Sequence, residues 1–309
     1  MDKKIPAIAD KEFLDTLVDR ISSTYEDEQG INHIEGFNLP NKKEILHILD
    51  ELLEVIFPGF SDRKSYNLST VRYNIGEQLA NVYSHLTDQI ERSMRYNSYL
   101  DKKPSKNIER KAEDAVRELL NSLPEIRESM KLDVQAAFDG DPAALSLDEI
   151  VMCYPGVKAI TVQRIAHHLY QSNVPLIPRM MSEHIHSDTG IDIHPGAQLG
   201  KGVFIDHGTG VVVGETAIIG DGVKIYQGVT LGALSFPKDA CGKIIKGAKR
   251  HPSIGSDVTI YSGATILGDI FIGDNSIIGG NVWLTESTPT GTRISIEQPK
   301  NLVRAPRKI

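Results

Sequence analysis

A glycine falls on every sixth residue from position 190, and this period limits the possible folds more than any other feature of the chain. The glycines are Gly190, Gly196, Gly202, Gly208, Gly214 and Gly220. Small or aliphatic residues keep the same step on both sides of one interruption: Ile193, Leu199, Ile205, Val211, Ala217, Val223 and Val229, then Ile254, Ile260, Ile266, Ile272, Ile278 and Leu284. A period of six fits neither an α-helix, with about 3.6 residues per turn, nor the alternation of a strand. It predicts a parallel β-helix that turns a corner every six residues.

The composition predicts a soluble protein with two domains. The chain has 309 residues, 40% of them hydrophobic, which is enough for two cores. Its net charge of −7 argues against a nucleic-acid partner, because such proteins need a basic surface. No apolar run approaches the ~18 residues of a membrane span, and residues 1–13 lack the apolar core of a signal peptide. Since Cys153 and Cys241 stand far apart, we expect reduced thiols and a cytoplasmic location.

Residues 1–187 are predicted to form an all-α domain. Apolar side chains recur there at steps of three or four, which is typical of helices that pack along one face. The predicted helices cover residues 42–57, 69–97, 105–123, 126–138, 157–171 and 178–186. Pro124 is expected to interrupt the chain between the third and fourth helices, because proline lacks a backbone donor and clashes with the preceding turn.

The β-helix is predicted over residues 188–298, with roughly four coils. The repeat lapses over residues 233–250, which we interpret as a loop that protrudes from the coil. The charged residues of this loop are Lys238, Asp239, Lys243, Lys246, Lys249 and Arg250. A basic flap over an anionic ligand is favoured over a solvated charged loop. Residues 299–309 form a short basic tail.

Three polar patches interrupt the apolar pattern of the coil. They are Asp192-Ile193-His194-Pro195, Asp206-His207-Gly208 and Lys249-Arg250-His251-Pro252. A histidine that faces a carboxylate through one ring nitrogen is held in one tautomer and can deprotonate a hydroxyl as a general base. An arginine beside a histidine can clamp a carboxylate. Because the patches fall in one short stretch of the coil, they predict a site.

The patches and their flanking segments resemble the serine O-acetyltransferase family. The resemblance rests on DIHPGAQLGKGVFIDHGTGVVVGETAIIGDGVKIYQGVTLGA at residues 192–233 and on KRHPSIG at residues 249–255, and it spans about residues 139–286. It implies an all-α domain followed by a left-handed parallel β-helix, assembled as a trimer or a dimer of trimers with sites between neighbouring subunits. It also implies transfer of acetyl from acetyl-CoA to the L-serine hydroxyl, which gives O-acetyl-L-serine and CoA in cysteine biosynthesis.

Carried over to this chain, the resemblance implies a role for each patch. His207 would be the general base for direct attack on the thioester, and Asp192 would be its orienting carboxylate. The residues that would hold serine are Asp141, Asp206, Arg250 and His251. The residues that would meet acetyl-CoA, the co-substrate, are Gly232, Ala233, Lys246 and Lys249. Neither a permanently bound cofactor nor a metal ion is expected.

The resemblance further implies an inhibitor and a protein partner. L-cysteine would occupy the serine site as a feedback inhibitor, and the C-terminal Ile309 would bind O-acetylserine sulfhydrylase. The chain departs from many relatives at Leu145, where a second acid is common, and Asp148 or Glu149 is a candidate replacement. Ala233 stands where the family has a glycine.

Three other functions fit parts of the sequence. A γ-type carbonic anhydrase also has a hexapeptide coil, and it would bind zinc through histidines of the set His184, His186, His194, His207 and His251. An acetyltransferase for a sugar or antibiotic hydroxyl would use the same base without a clamp for a zwitterion. A purely structural β-helix would leave the polar patches unexplained. The large helical part and the acid that precedes His207 favour the serine enzyme.

Overall fold

The computed structural model of the chain divides into two compact units, residues 1–38 and residues 39–309. The structure describes residues 11–25, 31–34, 36, 38–60, 66–100, 102, 106–235, 242–243 and 247–297. In the first unit it describes helix α1 (Lys11–Ser23), whose apolar side chains Phe13, Leu14, Val18 and Ile21 are exposed. All the elements named below belong to the second unit.

Helices form the first part of the second unit. They are α2 (Lys42–Ile56), α3 (Val71–Leu100), α4 (Ile108–Gly140), α5 (Leu147–Cys153), α6 (Pro155–Gln171) and α7 (Ile177–Thr189). The predicted apolar face of α2 is in the core, where Ile45, Ile48 and Leu52 have no exposed surface. Asn41 caps α2 by accepting the N–H of Lys43 with its side chain. The helical prediction for this part of the chain is confirmed.

Helix α4 continues through Pro124, so the interruption predicted there is wrong. Pro124 lies on the exposed side of the helix. The same face of the helix is buried on both sides of the proline, through Leu119, Leu123, Ile126 and Met130. Burial of such side chains contributes about 1.5–3 kcal/mol each, whereas a proline inside a helix costs ~3 kcal/mol. Packing therefore keeps α4 continuous.

Short strands follow the helices, and each pairs in parallel with a strand of the next coil. They are β1 (Asp192–Ile193), β2 (Gln198–Leu199), β3 (Phe204–Ile205), β4 (Val212–Val213), β5 (Ile218–Ile219), β6 (Lys224–Ile225), β7 (Thr230–Gly232), β8 (Ser253–Ile254), β9 (Thr259–Ile260), β10 (Thr265–Leu267), β11 (Phe271–Ile272), β12 (Ile277–Ile278), β13 (Trp283–Leu284) and β14 (Arg293–Ile294).

The strands form three sheets, one on each face of a coil. The first face contains β1, β4, β7, β10 and β13, the second β2, β5, β8 and β11, and the third β3, β6, β9, β12 and β14. An aliphatic column runs along each face, and on the first face it contains Ile193, Val213, Leu231, Ile266 and Leu284. This confirms the predicted left-handed parallel β-helix.

Between β1 and β7 the constant step of six residues fails at one corner. The first coil takes twenty residues, from Asp192 to its partner Val212, and the next takes eighteen. The two extra residues lie between β3 and β4, so the column that begins at Ile193 continues at Val213 and not at Val211, as the period predicts. Val211 and Val213 are both buried, at 0% and 1% exposure, which is why the sequence pattern conceals the insertion.

A buried ion pair fixes the helices to the first coil. Arg164 of α6 donates to both carboxylate oxygens of Asp133 of α4, and these side chains are 10% and 0% exposed. Asp133 also accepts the backbone N–H of Val203 at 2.9 Å, and Arg164 donates to the carbonyl oxygens of Leu199 and Gly200. Because each charge is paired and hydrogen-bonded, α4 and α6 are held in place against β2 and β3.

Several predictions concern segments that the structure describes only in part. Of the loop at residues 233–250 it describes 233–235, 242–243 and 247–250, and the tail at residues 299–309 lies outside the described residues. The boundary predicted between residues 187 and 188 falls inside the second unit, just before α7 ends, and stays a prediction as a domain boundary. Among the helices described, none is long and apolar enough to cross a membrane. Cys153 is exposed and free, and Cys241 lies outside the described residues.

Candidate active site

His207 lies at the corner that contains the two-residue insertion, between the third and first faces of the coil. The N–H of Gly208 donates to the carbonyl oxygen of Asp206 at 2.6 Å, which closes a γ-turn around His207. The φ angle of His207 is 56°, in the left-handed region that is costly for residues other than glycine. The His207 side chain is 66% exposed, so the imidazole is open to a ligand.

Two carboxylates accompany this imidazole. Asp206 Oδ1 lies 3.5 Å from His207 Nδ1. Asp141, the residue that caps the end of α4, accepts the hydroxyl of Tyr154 on Oδ2 at 2.6 Å. That hydrogen bond is the main cause of a lowered pKa at Asp141, and the N–H of Ala143 and the charge of His207 act in the same direction. Asp141 is therefore held ionised beside His207.

Asp192 begins β1, and His207 lies in the corner that leads into β4, the strand paired with β1. The two residues are therefore at the same edge of the coil. No hydrogen bond or ion pair joins these two described side chains, and the carboxylate within ion-pair distance of His207 is that of Asp206. The orienting role of Asp192 stays a prediction.

The third polar patch lies at another edge, where the first face of the coil turns into the second. Arg250 donates to Glu215 Oε2, and the hydroxyl of Tyr170 donates to Glu215 Oε1 at 2.7 Å. Burial would raise the pKa of Glu215, but the bonds from Tyr170 and Arg250 lower it overall. The ring of Tyr170 also packs edge-on against His194, with 5.6 Å between the centroids. Glu215 therefore fixes the orientation of the guanidinium.

His251 is buried beside Arg250. Its imidazole packs against Gly214, and a Cβ at position 214 would overlap the ring. Its Nδ1 accepts the backbone N–H of Thr216 at 3.1 Å and the Thr216 hydroxyl at 2.8 Å. The neutral ring therefore carries its proton on Nε2. Burial, followed by the charge of Arg250, lowers the pKa of His251 to about 4. At neutral pH His251 is thus an uncharged donor beside a fixed cation.

The two sets of side chains occupy different edges of one protomer. The His207 cluster contains Asp141, Tyr154, Asp206 and His207, and the Arg250 cluster contains Tyr170, His194, Glu215, Thr216, Arg250 and His251. Strand β4 lies between them, because the corner of His207 precedes it and Glu215 follows it. The fold thus assembles each cluster, but it does not bring the two clusters together within a protomer.

The residues predicted to meet acetyl-CoA lie near the start and the end of the loop. Gly232 ends β7 opposite Leu267 of β10, and Ala233 follows it. Lys249 donates to the carbonyl oxygen of Thr216 at 2.5 Å, and burial lowers its pKa. Lys249 therefore ties the end of the loop to the Arg250 cluster, and Lys246 lies outside the described residues.

Asp148 and Glu149 of α5 are the candidates for the acid that the family resemblance implies near position 145, and whether Asp148 takes that role stays a prediction. Leu145 is 86% exposed. Glu149 accepts the N–H of Leu145 at 2.7 Å, and Ser146 accepts the N–H of Glu149 at 3.1 Å. The carboxylate of Glu149 therefore serves to cap the first turn of α5, and Asp148 is exposed.

Comparison with known proteins identifies the family. The plasmid serine acetyltransferase of Synechococcus elongatus is 45% identical to this chain over 291 residues, which cover 92% of this chain and 91% of that protein. The chain belongs to the serine acetyltransferase family. Residues 251–286 also match the family described as "Bacterial transferase hexapeptide (six repeats)". As a serine acetyltransferase homologue the protein is an acyltransferase, so the predicted family and enzyme class are confirmed.

Solved serine acetyltransferases have the same fold. Isoform 3 from Entamoeba histolytica, in complex with cysteine, matches with a TM-score of 0.71 and 36% identity over 94% of both chains. The soybean enzyme complexed with serine matches with a TM-score of 0.52 and 28% identity, over 85% of this chain and 100% of that one. The likeness to the Entamoeba protein includes the helical part as well as the coil.

Sequence reasoning missed Tyr154, Tyr170, Glu215 and Thr216 as members of the two clusters. Glu215 and Thr216 stand inside the segment that carries the family resemblance, in the letters GETA. Their polar side chains in that segment could have indicated that they belong to the site. Tyr170 falls in a predicted helix, where an aromatic residue is more often part of a core, and Tyr154 stands between α5 and α6.

Proposed function

We propose that the protein transfers the acetyl group of acetyl-CoA to the hydroxyl of L-serine and releases O-acetyl-L-serine and CoA. The observation that carries this proposal is the arrangement of charge in the two clusters. Asp141 and Asp206 offer carboxylates to an ammonium group, and Arg250 with His251 offers donors to a carboxylate. These are the two charged groups of an amino acid. The serine bound in the soybean relative supports the same substrate.

His207 is the general base of the proposed reaction. In the proposed state the orienting carboxylate holds the proton on Nδ1, which leaves Nε2 free to accept the proton of the serine hydroxyl. The serine oxygen then attacks the thioester carbon directly, the C–S bond breaks, and the departing sulfur takes the proton from the imidazolium. Asp192, at the same edge, is the carboxylate that would orient the ring and stabilise its positive charge.

The carboxylate of serine would bind at the Arg250 cluster. Glu215 already orients the guanidinium of Arg250, and a charged partner in a fixed position loses little entropy when it binds. His251 adds an uncharged donor at Nε2, because its Nδ1 is occupied by Thr216. A neutral donor beside a cation suits a carboxylate, which needs hydrogen bonds as well as charge.

Acetyl-CoA would lie along the edge of the coil near the loop. Attack on the thioester places negative charge on the carbonyl oxygen, and a backbone N–H near Gly232 and Ala233 is the candidate donor to it. The phosphates of CoA would meet the basic loop that contains Lys246. Lys249 would contribute at the anchored end of that loop, where it already binds Thr216.

A trimer would complete the site. Because the His207 cluster and the Arg250 cluster lie at different edges, a threefold assembly can set one edge of a coil against the other edge of its neighbour. Each groove between subunits would then contain the base from one chain and the clamp from the next. The exposed apolar side chains of α1 support a further pairing of trimers through the helices.

Two regulatory interactions complete the proposal. L-cysteine has the same ammonium and carboxylate groups as serine, so it would compete for the same clusters, and the cysteine bound in the Entamoeba relative supports this. Ile309, which lies outside the described residues, would insert into O-acetylserine sulfhydrylase. Calorimetry with the full chain and with a chain lacking Ile309 tests that contact. Equal heats of binding for the two chains would rule out this role for Ile309.

The substrate is tested by measuring release of the CoA thiol from acetyl-CoA with a panel of acceptors. The proposal predicts release with L-serine and little release with a sugar or an antibiotic hydroxyl. Release only with a sugar or an antibiotic would leave His207 as the proposed base but would exclude serine as the substrate.

Zinc chemistry is the weaker alternative. Among the described residues no group of three or more His, Cys, Asp or Glu side chains in one protomer could hold a metal ion. Stoichiometric zinc with no acetyl transfer would favour it.

A further inference from the structure

Tyr154 supplies a side-chain donor to Asp141. It ends α5 and directly precedes Pro155, the first residue of α6. Its hydroxyl donates to Asp141 Oδ2 at 2.6 Å, and the N–H of Ala143 donates to Asp141 Oδ1 at 2.8 Å. Each oxygen of this carboxylate therefore has one fixed donor.

The backbone beside Tyr154 packs closely on the strand that leads to His207. Gly156 lies against Ile205 of β3, and a Cβ at Gly156 would run into the carbonyl oxygen of Ile205. Asp206 and His207 follow Ile205 directly in the chain. The position of Tyr154 is therefore tied to the corner that carries the proposed base.

Asp141 is also placed beside β3, through a different contact. Gly140, the last residue of α4, packs on the ring of Phe204, and a Cβ there would lie 2.7 Å from a ring atom. Asp141 follows as the cap of the helix. The Tyr154 hydroxyl thus links the ends of two helices at the point where both meet β3, and it sets the direction of the carboxylate.

We infer that Tyr154 is a positioning residue for the amino group of the substrate, because its hydroxyl holds the Asp141 carboxylate toward the corner of Asp206 and His207. The inference rests on the proposed serine chemistry. A carboxylate at a solvated helix end can rotate freely, and ordering it before binding removes that cost from the binding step. The ammonium would then lie between Asp141 and Asp206, with the serine hydroxyl near His207.

The charges around this pair favour such a role. The ionisable groups that act on Asp141 or Tyr154, or are acted on by them, are His207, Asp206, Glu149 and Tyr226. The hydrogen bond between Tyr154 and Asp141 is the largest influence on both groups, since it lowers the pKa of Asp141 and raises that of Tyr154 to about 12. Tyr154 therefore remains a donor, and Asp141 an anion, at neutral pH.

The test is Tyr154→Phe, with Tyr226→Phe as the matched control. Tyr226 lies in the same region, stacks on Tyr261 with 5.2 Å between the centroids, and loses the same hydroxyl when substituted. Tyr154→Phe should raise the KM for serine about tenfold or more and change kcat by less than about threefold, with the KM for acetyl-CoA unchanged. Serine binding, measured by calorimetry as the pH is lowered, should be lost at a higher pH than in the unsubstituted protein, because Asp141 loses the bond that lowers its pKa. Tyr226→Phe should show neither change.

A double-mutant cycle separates positioning from a general structural effect. In an Asp141→Asn background, Tyr154→Phe should raise the KM for serine only slightly further, because the two residues act through the same interaction. A chain with 3-fluorotyrosine at position 154 keeps the hydroxyl as a stronger donor, so its binding of serine should persist to lower pH even if Tyr154→Phe does not fold. Equal serine KM values for Tyr154→Phe and Tyr226→Phe, or an undiminished effect in the Asp141→Asn background, would overturn the inference. Absence of serine-dependent CoA release from the unsubstituted protein would instead overturn the proposed function.

Discussion

The hydroxyl of Thr216 donates its hydrogen to Nδ1 of His251 across 2.8 Å. The same oxygen accepts the backbone N–H of Arg250 at 3.0 Å and that of His251 at 3.2 Å. One side chain from the corner after β4 therefore sets the tautomer of His251 and fixes the chain as it returns from the loop.

Thr216→Val keeps the shape of this side chain and removes the hydroxyl. Loss of a hydrogen bond of this kind costs about 1 kcal/mol, so we expect the KM for serine to rise by roughly threefold to tenfold. The free energy of unfolding should fall by about 1–3 kcal/mol, because two backbone N–H groups lose their acceptor. Steady-state kinetics and urea unfolding measure the two effects. Thr216→Ser, which retains the hydroxyl, is the control, and identical behaviour of the Val and Ser variants would contradict this account.

The lowered pKa of His251 predicts how stability depends on pH. The unfolded chain takes up a proton at this residue near pH 6.5, whereas the folded chain does so only near pH 4. Between these values the unfolded state binds more protons, so stability should fall as the pH is lowered from about 6.5 toward 4.

The His251→Gln variant removes this titration. Its free energy of unfolding should fall less between pH 7 and pH 5 than that of the unsubstituted protein, as measured by urea unfolding at each pH. The control is His47→Gln, because His47 is an exposed histidine outside both clusters. An equal loss of stability in the His251→Gln variant and the unsubstituted protein would show that His251 does not titrate in this range.

Arg250 is predicted to bind the carboxylate of both serine and cysteine. Arg250→Ala removes a charged donor, and such bonds are worth about 1.5–3 kcal/mol, so the KM for serine and the inhibition constant of cysteine should both rise by about tenfold or more. Inhibition should remain competitive with serine. Arg250→Lys should recover only part of the affinity, because lysine lacks the planar fork of arginine. Cysteine that inhibits without raising the apparent KM for serine would argue against a shared site.

The separation of the two clusters predicts that inactive variants complement each other. His207→Ala and Arg250→Ala chains damage opposite sides of the proposed groove between subunits. In random trimers of the two, about a quarter of the grooves would join an intact His207 to an intact Arg250. Coexpressed chains should therefore regain about a quarter of the native activity, although each variant alone is nearly inactive. Activity no higher than that of the parents would place the site within one protomer.

Most of the coil could be predicted from the sequence because its core is periodic and local. Each hexad contributes inward side chains that stack on the next coil, so the pattern is visible without knowledge of distant contacts. The two-residue insertion at the corner of His207 is the exception. Val211 and Val213 are both apolar and both buried, so the shift of two residues leaves no trace in hydrophobicity.

The candidate site was less accessible to sequence reasoning because its contacts join distant segments. The family resemblance points to Asp206, His207 and Arg250, but the hydrogen bond from Tyr170 to Glu215 spans 45 positions. Nothing in either local sequence specifies that pair. The same limit explains the wrong prediction at Pro124. Burial of residues on both sides of this proline outweighs its local preference to end a helix, so α4 continues through it.

The central claim is that His207 removes the proton of the serine hydroxyl. The most direct measurement is serine-dependent release of CoA from acetyl-CoA by the native chain and by a folded His207→Ala variant, with His186→Ala as a control at an exposed histidine outside both clusters. Loss of a general base lowers the rate by about 10²–10⁴, so the account predicts that release collapses in His207→Ala and persists in His186→Ala. Release within about threefold of the native rate in a folded His207→Ala variant would contradict the account.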